Sequence, residues 1–95
     1  GNGTGSGKDP KRAFDLYRRA AGAGEPRGMT LLADQYSDQN NPNHDYTKAR
    51  EWYAKADAGG DHEGTYNLGL ALDQGLGTDE DLPRAHDLFL KAARA

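Results

Sequence analysis

An all-α solenoid is the fold class this sequence predicts, and three observations carry it. The chain of 95 residues contains no Val and no Ile, so it lacks the β-branched residues that fill a pleated sheet. Its commonest hydrophobic residue is Ala, the strongest helix former. The sequence also repeats itself every 36 residues: Ala13, Ala49 and Ala85 fall in register, as do Ala20, Ala56 and Ala92. A period of that length marks stacked units, none of which buries its apolar face alone.

Each unit reads as two helices. The second carries a bulky pair at fixed positions, Leu16-Tyr17, Trp52-Tyr53 and Leu88-Phe89. Ahead of it stand Asp9, Asp45 and Asp81, N-caps whose carboxylates accept the free amides of a first turn. Pro10 and Pro83 fall in that turn, where a missing N–H costs nothing. Ala49, Trp52, Tyr53 and Ala56 form the i, i+3, i+4, i+7 stripe of an amphipathic helix. Gly22 and Gly24, then Gly59 and Gly60, are expected to end the helix with a left-handed residue.

The first helix of the unit is predicted over residues 26–38 and 62–74, with Leu32 and Leu68 on its inner stripe. Gly28, Gly64 and Gly69 lie inside it, where glycine disfavours a helix. Their recurrence predicts neighbouring helices that pass too close for a larger side chain. The chain is therefore read as one domain over 1–95. Residues 1–24 form a loop and second helix, and 25–60 and 61–95 each form a full unit.

Charge and composition exclude several functions. Twelve basic residues against 15 acidic ones leave a net charge of −3, the wrong sign for a nucleic-acid binder. No fully apolar run exceeds three residues, so membrane insertion is not expected. The polar, Gly-rich first ten residues do not read as a signal peptide. The compartment stays open between cytoplasm and bacterial envelope. With no Cys there is neither a disulfide nor a thiolate nucleophile.

Candidate chemistry is equally sparse. Gly1 to Lys8 looks superficially like a phosphate loop, but Asn2 stands where the first Gly belongs and Asp9 where Ser or Thr must follow the Lys. His44, His62 and His86 are too far apart in sequence to share a helix face, and are read as solvent-exposed. Asp79-Glu80-Asp81 lacks the alternating ligands of a calcium loop. No catalytic residue, no cofactor and no metal site is expected.

One resemblance is specific. Tyr66-Asn67-Leu68-Gly69, Gly75-Leu76-Gly77, Asp81, Arg84-Ala85 and Leu88-Phe89, followed by Lys91-Ala92-Ala93, is similar to the Sel1-like repeat, a relative of the tetratricopeptide repeat. Thr47 to Ala56 matches the family's second helix best, through Lys48-Ala49 and Trp52-Tyr53-Ala54-Lys55-Ala56. The resemblance implies a right-handed α/α superhelix of helix-turn-helix units. Gly3 and Gly5 then align with Gly75 and Gly77 two units on, so the first unit lacks its first helix. A piece of a longer array is the expectation.

The resemblance also implies a binding face, because the first helix of each unit lines the concave groove of such superhelices. With Leu32 and Leu68 turned inward, Thr30, Asp34 and Ser37 fall on the opposite face of one helix, and Tyr66, Leu70 and Asp73 on that of the next. Asn67 adds a carboxamide beside Tyr66. These seven residues are the expected partner-binding set, with Tyr66 either an exposed anchor or packed between repeats.

The leading function is then a non-catalytic adaptor that docks a partner protein or peptide, not an enzyme. The alternative is a module binding glycans or cell-wall fragments in a bacterial envelope protein. Self-association end to end, through uncapped repeats, is a further expectation.

Overall fold

The structure, a computed structural model, describes residues 9–95; the glycine-rich segment 1–8, with Gly3, Gly5 and the phosphate-loop look-alike, lies outside the described residues. Five helices follow one another: α1 (Pro10–Gly22), α2 (Pro26–Ser37), α3 (Tyr46–Ala58), α4 (His62–Gln74) and α5 (Leu82–Ala93). Each packs on its neighbours in sequence, and α2 also touches α4 across the turn of the solenoid. The helical class and the paired-helix unit predicted from the period are what the chain adopts.

The N-caps are where the sequence places them. Asp9 accepts from the Lys11 amide at 3.0 Å, Asp45 from Lys48 at 3.1 Å and Asp81 from Arg84 at 3.1 Å. A fourth cap, Asp61, accepts from the Gly64 amide at 3.0 Å and starts α4. Caps of this type are each worth about 1 kcal/mol. Turn bonds repeat with the same period: the Asp45 amide donates to the Tyr36 carbonyl and the Asp81 amide to the Leu72 carbonyl.

The core runs through the stack as one cluster of Ala33, Ala49, Tyr53, Leu68, Leu72, Ala85 and Leu88, with Trp52 and Phe89 packed against it. Small residues set the helix spacing. A Cβ on Gly28 would lie 2.6 Å from the Ala20 Cβ, and one on Gly64 would lie 2.6 Å from the Ala56 Cβ. Both contacts join the second helix of one unit to the first helix of the next, as the glycine pattern predicts. A Cβ on Gly69 would meet the Phe89 ring at 2.7 Å.

Two local expectations are corrected. Of the four glycines expected to end these helices, Gly24 and Gly60 take the left-handed conformation, while Gly22 is the last residue of α1 and Gly59 is right-handed at φ −83°. His44 is half-buried, with Nδ1 2.9 Å from the Tyr36 carbonyl, whereas His62 and His86 are exposed. The loop after α4 needs Gly77 twice over. Its φ is +73°, and a Cβ there would sit 2.2 Å from the Tyr46 carbonyl oxygen at the start of α3.

Candidate functional site

Near their N-terminal ends, α2 and α4 are tied together. Arg27 Nη1 donates to Glu63 Oε2 at 2.6 Å, and Thr30 Oγ1 donates to Asp61 Oδ2 at 2.5 Å. Toward their C-terminal ends the same two helices border a cleft of about 130 Å³. Ser37 forms its α2 edge, and Tyr46, Ala49, Arg50 and Tyr53 come from α3. From α4 come Asn67, Leu70, Ala71 and Gln74, one stripe at i, i+3, i+4, i+7, and Leu76 closes the end from the loop.

A hydrogen-bonded group fixes the α2 side. The Tyr53 hydroxyl donates to Asp34 Oδ1 at 2.5 Å and lies 3.2 Å from Ser37 Oγ, which sits 3.1 Å from the Asp34 carbonyl. Burial pushes the Tyr53 hydroxyl far above its ordinary pKa, and the bond to Asp34 adds to the shift. Burial also raises the Asp34 carboxyl, against the Tyr53 hydrogen bond that lowers it. Tyr53 is thus a fixed donor rather than an acid–base group.

Arg50 is the one charged residue that lines the cleft. Its Nε is buried and has no hydrogen-bond partner among the described residues. The three ion pairs found among those residues, Arg18–Asp15, Arg27–Glu63 and Lys91–Asp57, all lie elsewhere.

The seven residues expected on the concave face do not form one surface. Ser37, Asn67 and Leu70 meet in the cleft. Asp34 lies just behind it, bound to Tyr53. Thr30 is a correction: it is fully buried, because the start of α4 covers it. Tyr66 occupies the same register one unit later, and there the ring is 50% exposed, tilted against Phe89 at 5.4 Å between centroids. Asp73 borders a separate shallow depression with Leu82, His86 and Phe89.

Arg50, Gln74, Tyr46 and Leu76 are cleft residues that the sequence reading missed. For Arg50 a signal existed in the register. Its equivalent in α1 is Phe14, which meets Tyr36 edge-on at 5.5 Å, and its equivalent in α5 is His86. The slot thus carries an aromatic ring, a guanidinium and an imidazole in successive units.

The Sel1 repeat family model matches residues 1–25, 26–61 and 62–95. This chain belongs to the Sel1 repeat family. Sel1 repeats generally mediate protein–protein interaction and are generally non-catalytic. The chain is 30% identical over 91 residues to DAP3-binding cell death enhancer 1 of Rattus norvegicus, covering 94% of itself and 18% of that protein. Among solved structures it resembles c5321, a protective antigen of uropathogenic Escherichia coli with an SLR fold. The TM-score is 0.85 at 32% identity, over 97% of this chain and 20% of the antigen. A Sel1 repeat protein from Oxalobacter formigenes matches with a TM-score of 0.71 at 25% identity, over 90% of this chain and 80% of that one. The chain therefore spans about a fifth of the length of the rat and E. coli proteins.

Proposed function

We propose that this Sel1 segment is an adaptor module that docks an extended stretch of a partner protein in the cleft that α3 and α4 form beside the end of α2. One observation carries the reading: a cleft between α3 and α4, bordered by Ser37 at the end of α2, with apolar walls from Leu70, Ala71 and Ala49 and polar groups from Asn67, Gln74 and Arg50 in its lining. Apolar walls supply burial, and a few placed polar groups supply orientation. The rat relative's name makes that protein a binder of DAP3, which supports docking as the work of such arrays without naming this chain's partner. Glycan binding has less support, because the Tyr66 ring that would stack on a sugar already leans on Phe89. Association of copies through the exposed Tyr66, Leu82 and Leu90 belongs to the same proposal, and sedimentation equilibrium tests it.

A displayed library of random peptides, panned on the wild-type chain and on Leu70→Lys, tests the docking reading. Peptides enriched on the first and lost on the second, with helicity unchanged, are the expected result. Enrichment that ignores Leu70→Lys would move the site elsewhere. Retention of cell-wall fragments with no peptide enriched would replace docking with the glycan reading.

A further inference from the structure

We infer that Arg50 is a carboxylate anchor, and that the cleft's occupant is a glutamate side chain within an extended acidic segment of a partner protein. The inference rests on the docking reading above and names the chemistry of the partner.

The unpaired Arg50 Nε is the starting point. A buried guanidinium N–H without an acceptor costs roughly 1–3 kcal/mol, and nothing among the described residues recovers that cost. The equivalent positions carry Phe14 and His86, so the solenoid itself has no need of a guanidinium here. What the position lacks is an acceptor, and the described residues supply none. No Asp or Glu lines the cleft, and Asp34, close behind Tyr53, is already held by that hydroxyl. Although the whole chain carries a net −3, the charge in this cleft is positive. Complementarity therefore selects an anion.

The shape narrows the anion. A cleft of about 130 Å³ has room for one side chain rather than a folded element. Its walls, Leu70, Ala71 and Ala49, suit methylenes, while Arg50 and the amides of Asn67 and Gln74 suit a carboxylate. Glutamate joins those two parts in one side chain: an aliphatic stem against the walls and an acceptor pair at the guanidinium. A bare phosphate would satisfy Arg50 and leave the apolar walls in contact with water. Partial enclosure also shields the pair, so salt weakens it less than an exposed one.

The test uses two peptide libraries panned on the wild-type chain, one fused at its C-terminus so that no free α-carboxylate exists, the other ending in a free carboxylate. The expected result is a recurrent Glu at one internal position in the fused library. A recovered peptide and its Glu→Gln form are then measured against the wild type and Arg50→Gln. Each single change is expected to weaken binding about 10- to 100-fold, and the peptide change is expected to have no further effect on Arg50→Gln. Arg50→Lys, which keeps the charge, is expected to keep the Glu preference at lower affinity, so the test survives if Arg50→Gln folds poorly.

Peptides without acidic preference, or a Glu-to-Gln difference that persists in Arg50→Gln, would overturn the anchor while leaving docking intact. Recovery from the free-carboxylate library alone would overturn the glutamate assignment in favour of a chain terminus. Recovery from neither library would end both readings.

Discussion

The Thr30 hydroxyl in α2 donates to Asp61, the residue that caps α4, so one carboxylate oxygen receives both the Gly64 amide at 3.0 Å and a hydroxyl from the preceding unit at 2.5 Å. The cap of one repeat is thereby built into the seam with another. Thr30→Val keeps the shape of the fully buried side chain and removes the donor. Thermal unfolding should show a loss of about 1–2 kcal/mol; an unchanged midpoint would mean that the bond contributes nothing net.

Two glycines inside helices should respond to alanine with opposite signs. At Gly22, the last residue of α1, a Cβ meets nothing within 4 Å, so Gly22→Ala should stabilise by about 0.5–1 kcal/mol through helix propensity and chain entropy. At Gly64 the same Cβ meets Ala56 Cβ at 2.6 Å and Thr30 Oγ1 at 2.8 Å. Neither neighbour is a flexible chain end that can swing away. Gly64→Ala should therefore destabilise by about 1–3 kcal/mol, read from urea midpoints of the two variants side by side.

Two aspartates predict opposite pH trends. Burial would raise the Asp57 carboxyl, but hydrogen bonds from Lys91 Nζ at 2.8 Å and Thr65 Oγ1 at 2.5 Å outweigh it, and the group lies below its ordinary 3.8. Its stabilising contribution is present above pH 3.8 and is lost as pH falls through the lower folded value. Asp34 lies above 3.8, so its contribution is present below pH 3.8 and is lost as pH rises through the higher folded value. Relative to wild type, Asp57→Asn should be less stable at pH 7 and converge below pH 3.8. Asp34→Asn, which keeps an acceptor for Tyr53, should gain on wild type as pH rises from 3.8. Unfolding midpoints from pH 2.5 to 7, on the order of the range where carboxylates titrate, check both; parallel curves would contradict the assignments.

Arg50→Met should stabilise the free chain. The substitution removes the unpaired Nε and leaves an apolar side chain among Ala49, Leu70 and Ala71. A gain of about 1 kcal/mol is expected, which corresponds to roughly 4–8 °C for a domain of this size. A lower midpoint would mean that the guanidinium supports the fold instead of waiting for a ligand.

The architecture was largely legible, because period and caps are local properties. Asp9, Asp45 and Asp81 announce three helix starts, and the predicted helices over 26–38 and 62–74 end within one residue of those observed. The site was legible only in part. A helical wheel sorts side chains about their own axis and carries no information on what arrives one unit later. It put Thr30 and Tyr66 in the same class, yet the start of α4 buries the first and leaves the second half exposed. Arg50 was missed for the complementary reason. The apolar stripe of α3 marks that helix as packing, and the departure at Arg50 shows only when the position is set against Phe14, 36 residues earlier.

The ties between α2 and α4, Arg27 to Glu63 and Thr30 to Asp61, gather at one end of both helices, and the cleft opens at the other. The two helices are thus joined directly at one end, whereas at the other Ala49, Arg50 and Tyr53 of α3 line the space beside them. Fastening and lining use different residues, so a change at Arg27 or Thr30 would loosen the seam between units without altering a side chain of the cleft.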